Sequence, residues 1–401
     1  MIIRKITEDD IKNIRMLISV SFGLTSDETD EEYIRNCKAD KSRRGRNFLN
    51  RYAAFDESGK LLASLVMNPY KAHFDGNVVK MNGIGGVASF PEYRNKGTVR
   101  ACFLEAYEQM YQEGCAFSYL HGFSIAYYRK FGYAPLCETE EITAEIHRLT
   151  PCGTKGTYEL VSGDVTGCQE VYEKICARLN MMAVRIEDDW SILKEKNCVK
   201  NPNYTYLYRD EKGIPKSYFT FQKTADGLDT IIDCSEIYFY DKEGFGAILD
   251  FAIKLKGNFA LLRMNVPKDM NVDSLILEHA RNAIDRKRRN NGMARTIDLS
   301  KVLENALYKG SGKVVFRVND EHCTWNDGVW SLRFKDNRFV ELMRTDIAPQ
   351  AEMTVEVFTA LILGRYDFSE AELIAGLTVY EESEDFYKVF YRKRAAMYEK
   401  F

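Results

Sequence analysis

The chain has 401 residues, 45% of them hydrophobic, which is enough for more than one core and suggests two or three domains. Its formal charge of −3 supplies no overall field to draw nucleic acid or an anionic membrane. Ten cysteines without a CxxC or any Cys/His ligand spacing, no apolar signal core in "MIIRKITEDDIK" and no apolar stretch of about 18 residues argue against a disulfide frame, a zinc site and a membrane span, and predict a soluble cytoplasmic protein with reduced thiols.

Ile2 to Lys5 reads as a short strand. Thr7 caps a following helix, with Asp10 at the capping-box position and Ile11, Ile14, Leu17 and Ile18 on one face. The acidic run from Ser26 to Glu32 reads as a solvated helix start, and the basic run Lys41-Ser42-Arg43-Arg44-Gly45-Arg46 as a solvated face. Residues 51–89 read as three antiparallel strands, with turns at Ser58-Gly59 and Asp75-Gly76. Pro91 and Arg94-Asn95-Lys96-Gly97 lead into a helix from Thr98 to about Tyr111, with Ala101, Leu104, Ala106 and Met110 near helical spacing. A strand in "AFSYLHG", a short helix from about Ser124 to Lys130 and "FGYAPLC" follow.

From about Gly156 to Arg288 the same order recurs: a helix in "VTGCQEVYEKICARLN", strands in "YTYLYRD", "SYFTFQKT" and "LDTIIDCSEIYFY", and a helix in "GFGAILDFAIKL". The order repeats while the sequence does not, which predicts a duplicated fold. Arg286-Lys287-Arg288-Arg289 is a second solvated basic face, and Asn290-Asn291-Gly292 a linker or turn. Beyond it come a hairpin turning at Asn326-Asp327-Gly328, a strand from Glu352 to Val355 and helices over Val357 to Leu363 and Glu370 to Gly376. A long C-terminal helix from about Glu384 to Tyr398 completes the pattern. Three domains are expected, over residues 1–150, 151–290 and 291–401.

The chemistry concentrates in "VASFPEYRNKGTVR", residues 87–100. A strand, a turn and a helix start put unpaired amides and a positive dipole end together, which makes an anion site. Gly97 lets backbone approach an anion where a side chain would block it. Neither the GxxxxGK[ST] nor the GxGxxG phosphate loop is present. Gly85-Gly86, inside the preceding strand, marks a bulge or a close approach by another backbone.

A strand feeding R-x-x-G resembles the pyrophosphate loop of the GNAT acetyltransferases, with Val99 where glycine or alanine is usual. "AYYRKFGYAPL" resembles the YxRFGY signature of the Eis-like (enhanced intracellular survival) N-acetyltransferases. "CTWNDGVWSL" and "ALILGRYDFSEAELIAG" look like the sterol-carrier-like domain of that group, so the resemblance covers essentially the whole chain. It implies an α/β (α+β) class of tandem GNAT folds, each a mixed, mostly antiparallel sheet flanked by helices. The first would be catalytic and the second degenerate, followed by a sterol-carrier-like α+β domain.

The resemblance further implies acetyl-CoA as cosubstrate, and no metal. Arg94, Asn95, Lys96, Gly97, Thr98 and Val99 would hold the pyrophosphate, mostly by backbone amides, and Val87, Ala88 and Ser89 would line the pantetheine arm. Tyr128 is implied as general acid at the departing sulfur, with Tyr127 beside it as the alternative. The base is implied to be the terminal carboxylate on Phe401; His121 stands near these elements as a structural or substrate-contacting residue. The implied reaction is direct attack by a substrate amine, from an aminoglycoside-like polyamine or a lysine, in a homo-oligomer that resemblance makes a hexamer. In the second segment, Asp241-Lys242-Glu243-Gly244-Phe245-Gly246 repeats the glycine spacing, but its two carboxylates would repel a pyrophosphate. A non-catalytic carrier of apolar ligands, or an acyl-CoA sensor, is the alternative. A carrier needs neither Arg94-x-x-Gly97 nor Tyr128.

Overall fold

A computed structural model describes residues 1–39, 48, 50–194, 202–268, 270, 272 and 284–399. The chain divides into two compact units. One comprises Met1–Leu136, Asn180–Val184 and Gly292–Phe401; the other comprises Cys137–Leu179 and Arg185–Asn291.

The first unit begins with β1 (Ile2–Lys5), α1 (Ile11–Phe22), α2 (Asp30–Ala39), β2 (Arg51–Phe55), β3 (Leu61–Phe74), β4 (Asn77–Ser89), α3 (Thr98–Gln112), β5 (Phe117–Leu120) and α4 (Ile125–Arg129). The Asp10 carboxylate accepts from Thr7 N at 2.7 Å, which sets the entry to α1, and Ile11, Ile14 and Leu17 are buried beneath it. Strands pair in the order β1-β2-β3-β4-β5, antiparallel except for β4 with β5. Across the sheet lies α3, whose buried face is Cys102, Phe103, Ala106, Tyr107 and Met110. Leu104, expected on that face, is exposed, because the stripe is set by the aromatic pair one position away.

The second unit takes the end of β6 (Ala134–Glu145), then β7 (Thr157–Leu160), α5 (Thr166–Cys176), α6 (Glu187–Lys194), β8 (Asn203–Arg209), β9 (Pro215–Asp226), β10 (Asp229–Phe239), α7 (Lys242–Lys254) and β11 (Leu261–Pro267). Its sheet runs β6-β11-β10-β9-β8-β7, with β10 and β11 parallel. The element order of the first unit thus recurs, down to a parallel strand pair joined through a helix.

The chain then forms β12 (Ile284–Thr296), α8 (Leu299–Asn305), β13 (Gly312–Asn319), β14 (Gly328–Lys335), β15 (Arg338–Arg344), β16 (Ala351–Thr354), α9 (Val355–Ile362), β17 (Leu377–Val379) and α10 (Glu384–Val389). A separate sheet runs β15-β14-β13-β16-β17. Phe316, Phe358, Phe368, Phe386 and Phe390 fill its core, with successive ring centroids 4.5 to 6.3 Å apart.

Four expectations are corrected. Asn290-Asn291-Gly292 is neither linker nor turn but lies inside β12, which ends paired to β5 through Met293 and Leu120. Its basic run is not a merely solvated face: Arg286 and Arg289 meet Glu140 and Glu141 at 2.9 and 2.8 Å. The segment expected as a helix over Glu370 to Gly376 is a short 3-10 turn, Phe368–Leu373. The C-terminal helix stops at Val389, and residues 390–399 run irregularly, with Asn180 bridging Ala395 in parallel. The Lys41–Arg46 run and Phe401 lie outside the described residues.

Candidate active site

The end of β4 is where the sheet opens. Parallel pairing of β4 with β5 stops at Ile84 and Leu120, while β4 continues to Ser89. On its other side the register with β3 shifts between Ser64 and Val66, so Gly86 and Val87 together oppose Leu65. Gly86 takes φ 53, a left-handed value open to glycine. Val87 and Ser89 are half-buried and Ala88 is buried at this splayed end.

After a 3-10 turn at Pro91–Tyr93 the chain turns through Asn95 at φ 60 and Gly97 at φ 77 into Thr98, the first residue of α3. No side chain caps this helix start. A Cβ on Gly97 would meet nothing within 4 Å, so the glycine serves the left-handed backbone and leaves open space beside it. Arg94, Asn95, Lys96 and Gly97 are exposed, Thr98 is buried and Val99 half-buried. Uncapped amides, a positive dipole end and the cations Arg94 and Lys96 suit a phosphate-bearing ligand.

Beyond β5, Ser124 caps α4 by accepting from Tyr127 N at 3.3 Å. Tyr128 is 4% exposed, and its ring sits edge-on to Phe103, Phe123, Tyr127 and Tyr133. Burial, then the neighbouring Tyr127, push its phenol up to about 12. Among the described residues its hydroxyl has no hydrogen-bond partner. Tyr127 is half-buried, and burial raises its phenol too, against the opposing influence of the Arg94 cation. One apolar cluster contains Tyr128 and Phe103, with Val87, Tyr93, Val99 and Tyr127 packed against it. The structure therefore gathers the strand end, the loop, the start of α3 and both tyrosines.

His121 Nε2 lies 2.8 Å from the carbonyl of Glu399, so the imidazole donates there, and its ring is edge-on to Tyr119. The chain's last described residue thus lies at the end of β5. A Cβ on Gly122 would fall 2.7 Å from the Tyr128 ring, which puts this strand end directly beside the phenol.

The corresponding start of α7 is occupied by the chain itself. Asp241 Oδ1 accepts from Gly244 N at 2.9 Å, and Oδ2 pairs with Lys216 at 2.9 Å. Glu243 accepts from Tyr208 at 3.0 Å. Here the anion site is filled by a resident carboxylate.

Two arginines escaped the sequence reading. Arg51, in a strand whose five residues are all buried, donates to Ser64 Oγ at 2.9 Å and to Gly86 O at 3.3 Å. Arg295 is fully buried; it pairs with Asp320 at 2.6 Å and donates to Phe131 O at 2.7 Å. A cation in an otherwise apolar strand, Arg51 in "RYAAF", was the available signal.

Residues 2–136 match the acetyltransferase (GNAT) domain, and residues 299–398 match the sterol carrier protein domain. An uncharacterized N-acetyltransferase of Streptomyces avermitilis is 23% identical over 304 residues, covering 72% of this chain and 73% of that protein. A GCN5-related N-acetyltransferase from Anabaena variabilis has the same fold at a TM-score of 0.85 and 16% identity, with 100% of both chains covered. Eis1 from Mycobacterium abscessus does so at 0.79 and 14%, again over 100% of both. The chain thus carries an acetyltransferase domain of GNAT type and a domain of sterol carrier type, and its enzyme class is N-acetyltransferase. Acetyltransferases of this fold take their acetyl group from acetyl-CoA and pass it to amines of small molecules or proteins. Among the described residues no group of His, Cys, Asp and Glu could hold a metal, and no helix is long and apolar enough to cross a membrane.

Proposed function

We propose that this chain is an Eis-like enzyme that transfers acetyl from acetyl-CoA to a primary amine of a polyamine, aminoglycoside-like molecule or lysine. The observation that carries the reading is the gathering in one cluster of a splayed β4, an uncapped α3 start and a buried Tyr128 whose hydroxyl has no hydrogen-bond partner among the described residues. The pyrophosphate rests on the amides of residues 95–99, flanked by Arg94 and Lys96. The pantetheine arm pairs along Val87, Ala88 and Ser89.

The amine attacks the thioester carbon, the C–N bond forms, and the C–S bond then breaks with its electron pair on sulfur. Tyr128, protonated at every physiological pH, donates to that sulfur. Full proton transfer from a phenol near 12 to a thiolate whose thiol has a reference pKa of about 8.5 is uphill in water. Burial raises the thiolate's affinity for the proton as well and narrows the gap. Tyr128 therefore acts first as a hydrogen-bond donor to the leaving thiolate.

For the base we favour the Phe401 carboxylate. The support is Glu399, whose carbonyl sits on His121 beside Gly122 and the Tyr128 ring. The three-domain division at residues 150 and 290, a cytoplasmic location and a homo-oligomer belong to the same reading.

Thiol release from acetyl-CoA, measured against polyamines and aminoglycosides for the native chain, Y128F and a chain with two glycines added after Phe401, tests it. Turnover lost in both variants with acetyl-CoA affinity kept is the expected result. Absence of acetyl-CoA binding would sink the reading, and turnover surviving the extension would remove Phe401 as base.

A further inference from the structure

We propose that Arg51 is the positioning residue of the acyl site: its guanidinium, seated behind the β4 bulge, orients the Gly86–Val87 peptide and stabilises the charge that develops on the thioester oxygen. This rests on acetyl-CoA binding along the end of β4, as set out above.

Arg51 is 7% exposed, and among the described residues no carboxylate pairs with it. Burial pushes its pKa down to about 10, with Tyr33 opposing the shift. The other deeply buried arginines have anions: Arg295 has Asp320 at 2.6 Å, and Arg185 has Glu236 at 2.9 Å. A buried cation without one is unfavourable. Arg51 holds little that a neutral side chain could not hold, so fold stability does not account for it.

Its surroundings do. Nη1 reaches the carbonyl of Gly86, and a Cβ on Gly86 would fall 3.0 Å from Nη2 and 3.4 Å from Nη1, so the guanidinium is packed against the bulge. A trans peptide points its C=O and N–H in opposite directions. With the Gly86 carbonyl drawn to Arg51, the Val87 N–H points away from it. A cation on the carbonyl end polarises the peptide and strengthens that N–H as a donor.

When an amine attacks, the carbonyl π pair moves onto oxygen. Collapse restores C=O, and the C–S pair leaves on sulfur while the amine proton passes to the base. Arg51 gives and takes no proton. Its fixed positive charge lowers the energy of the oxyanion, which fixed dipoles in a water-poor site stabilise most.

The full chain is compared with Arg51→Met and with Arg51→Gln, which is neutral but retains hydrogen-bonding groups. The first readout is the infrared carbonyl band of bound [1-13C]acetyl-CoA, which requires no acceptor amine. We expect a shift to lower wavenumber on binding to the native chain and a loss of that shift in both variants. Turnover with the best amine should fall about 10- to 100-fold, with acetyl-CoA affinity unchanged and a melting temperature no lower than native. An unchanged band and turnover would overturn the inference. So would parallel losses of melting temperature, affinity and turnover, or failure of both variants to fold, since each would assign Arg51 to stability. A native chain that binds acetyl-CoA without any band shift overturns it while leaving the acetyltransferase reading standing. One that binds no acetyl-CoA overturns both.

Discussion

Tyr128 illustrates how much of a residue's role is set by its surroundings rather than its type. A free phenol titrates near 10, whereas burial against Phe103, Tyr127 and Tyr133 holds this one near 12. Because the raised value lies above the working range, the acid form persists as pH rises. At saturating substrate kcat should therefore show no descending limb from this phenol below about pH 10. A limb below that value which disappears in Y128F would reassign the acid. Y128F should lower kcat about 100-fold or more, and Y127F much less, because Tyr127 rather than Tyr128 faces the Arg94 cation. Register with a motif could pick out this pair of tyrosines, but not which one is buried. Periodicity cannot distinguish adjacent positions on a helix of 5 residues. The charge of Arg51 in an apolar strand was legible, but its partner was not, because that partner is a bulge at Gly86 and Val87, 35 residues from Arg51 at its first residue.

At the scale of elements, the strands and helices of both sheets were readable wherever a local pattern decided them. The turns at Ser58-Gly59 and Asp75-Gly76 and the starts of α3 and α7 lie where their residues place them. The failures are segments held by distant partners. The tail after Val389 has helix-forming residues, yet Asn180 N donates to Arg394 O at 2.8 Å and Ala396 N to Asn180 O at 3.0 Å. Lys393 Nζ, 5% exposed, meets Asp75 at 2.5 Å. Asp75 also accepts from Asn180 Nδ2 and Leu307 N, both at 2.8 Å, so the aspartate read as a turn residue is a hub for three segments.

This asymmetry predicts unequal mutants. K393M leaves Asp75 two donors, whereas D75N leaves a buried ammonium without an anion and should destabilise the fold by about 3–5 kcal/mol. Burial already depresses the Lys393 pKa below its ordinary value, with Asp75 opposing the shift. Without Asp75 the depression deepens and the folded state binds fewer protons than the unfolded one. Stability of D75N should then rise with pH towards the unfolded lysine value of about 10.4, so its deficit shrinks between pH 7 and 9. Thermal unfolding at the two pH values measures this; equal losses for D75N and K393M would contradict the hub.

On the scale of the whole molecule, the sterol-carrier-type domain could be read as an independent module with its own ligand. Its interior is filled by stacked phenylalanines, which favours a structural part in the catalytic unit over a carrier's cavity. The loop between β13 and β14 bears on the helix that holds Tyr128. His322 Nε2 donates to Lys130 O at 2.7 Å, and Trp325 stacks on Tyr111 of α3 at 4.4 Å. Asp320 anchors Arg295, whose other amine reaches Phe131 O, and a Cβ on Gly132 would fall 1.7 Å from that amine. The glycine of the F-G-Y motif therefore makes room for an arginine 163 positions later in the chain, and G132A should unfold at markedly lower temperature.

The functional consequence is sharper for His322, whose side chain is 3% exposed and lies beside the rings of Tyr107 and Phe131. Its donation satisfies a carbonyl just past the end of α4, where helix carbonyls lack partners. H322A should leave acetyl-CoA affinity close to native, since its one polar contact with the start of α3, Nδ1 to Arg100 Nη2 at 3.4 Å, is long and exposed. It should reduce kcat several-fold, because the end of α4 can shift and an offset of about 1 Å at the thioester is costly. Calorimetric titration with acetyl-CoA beside steady-state turnover separates the two. A loss confined to kcat makes the C-terminal domain a buttress of the acid, and no loss in either would leave it a passenger on the catalytic unit.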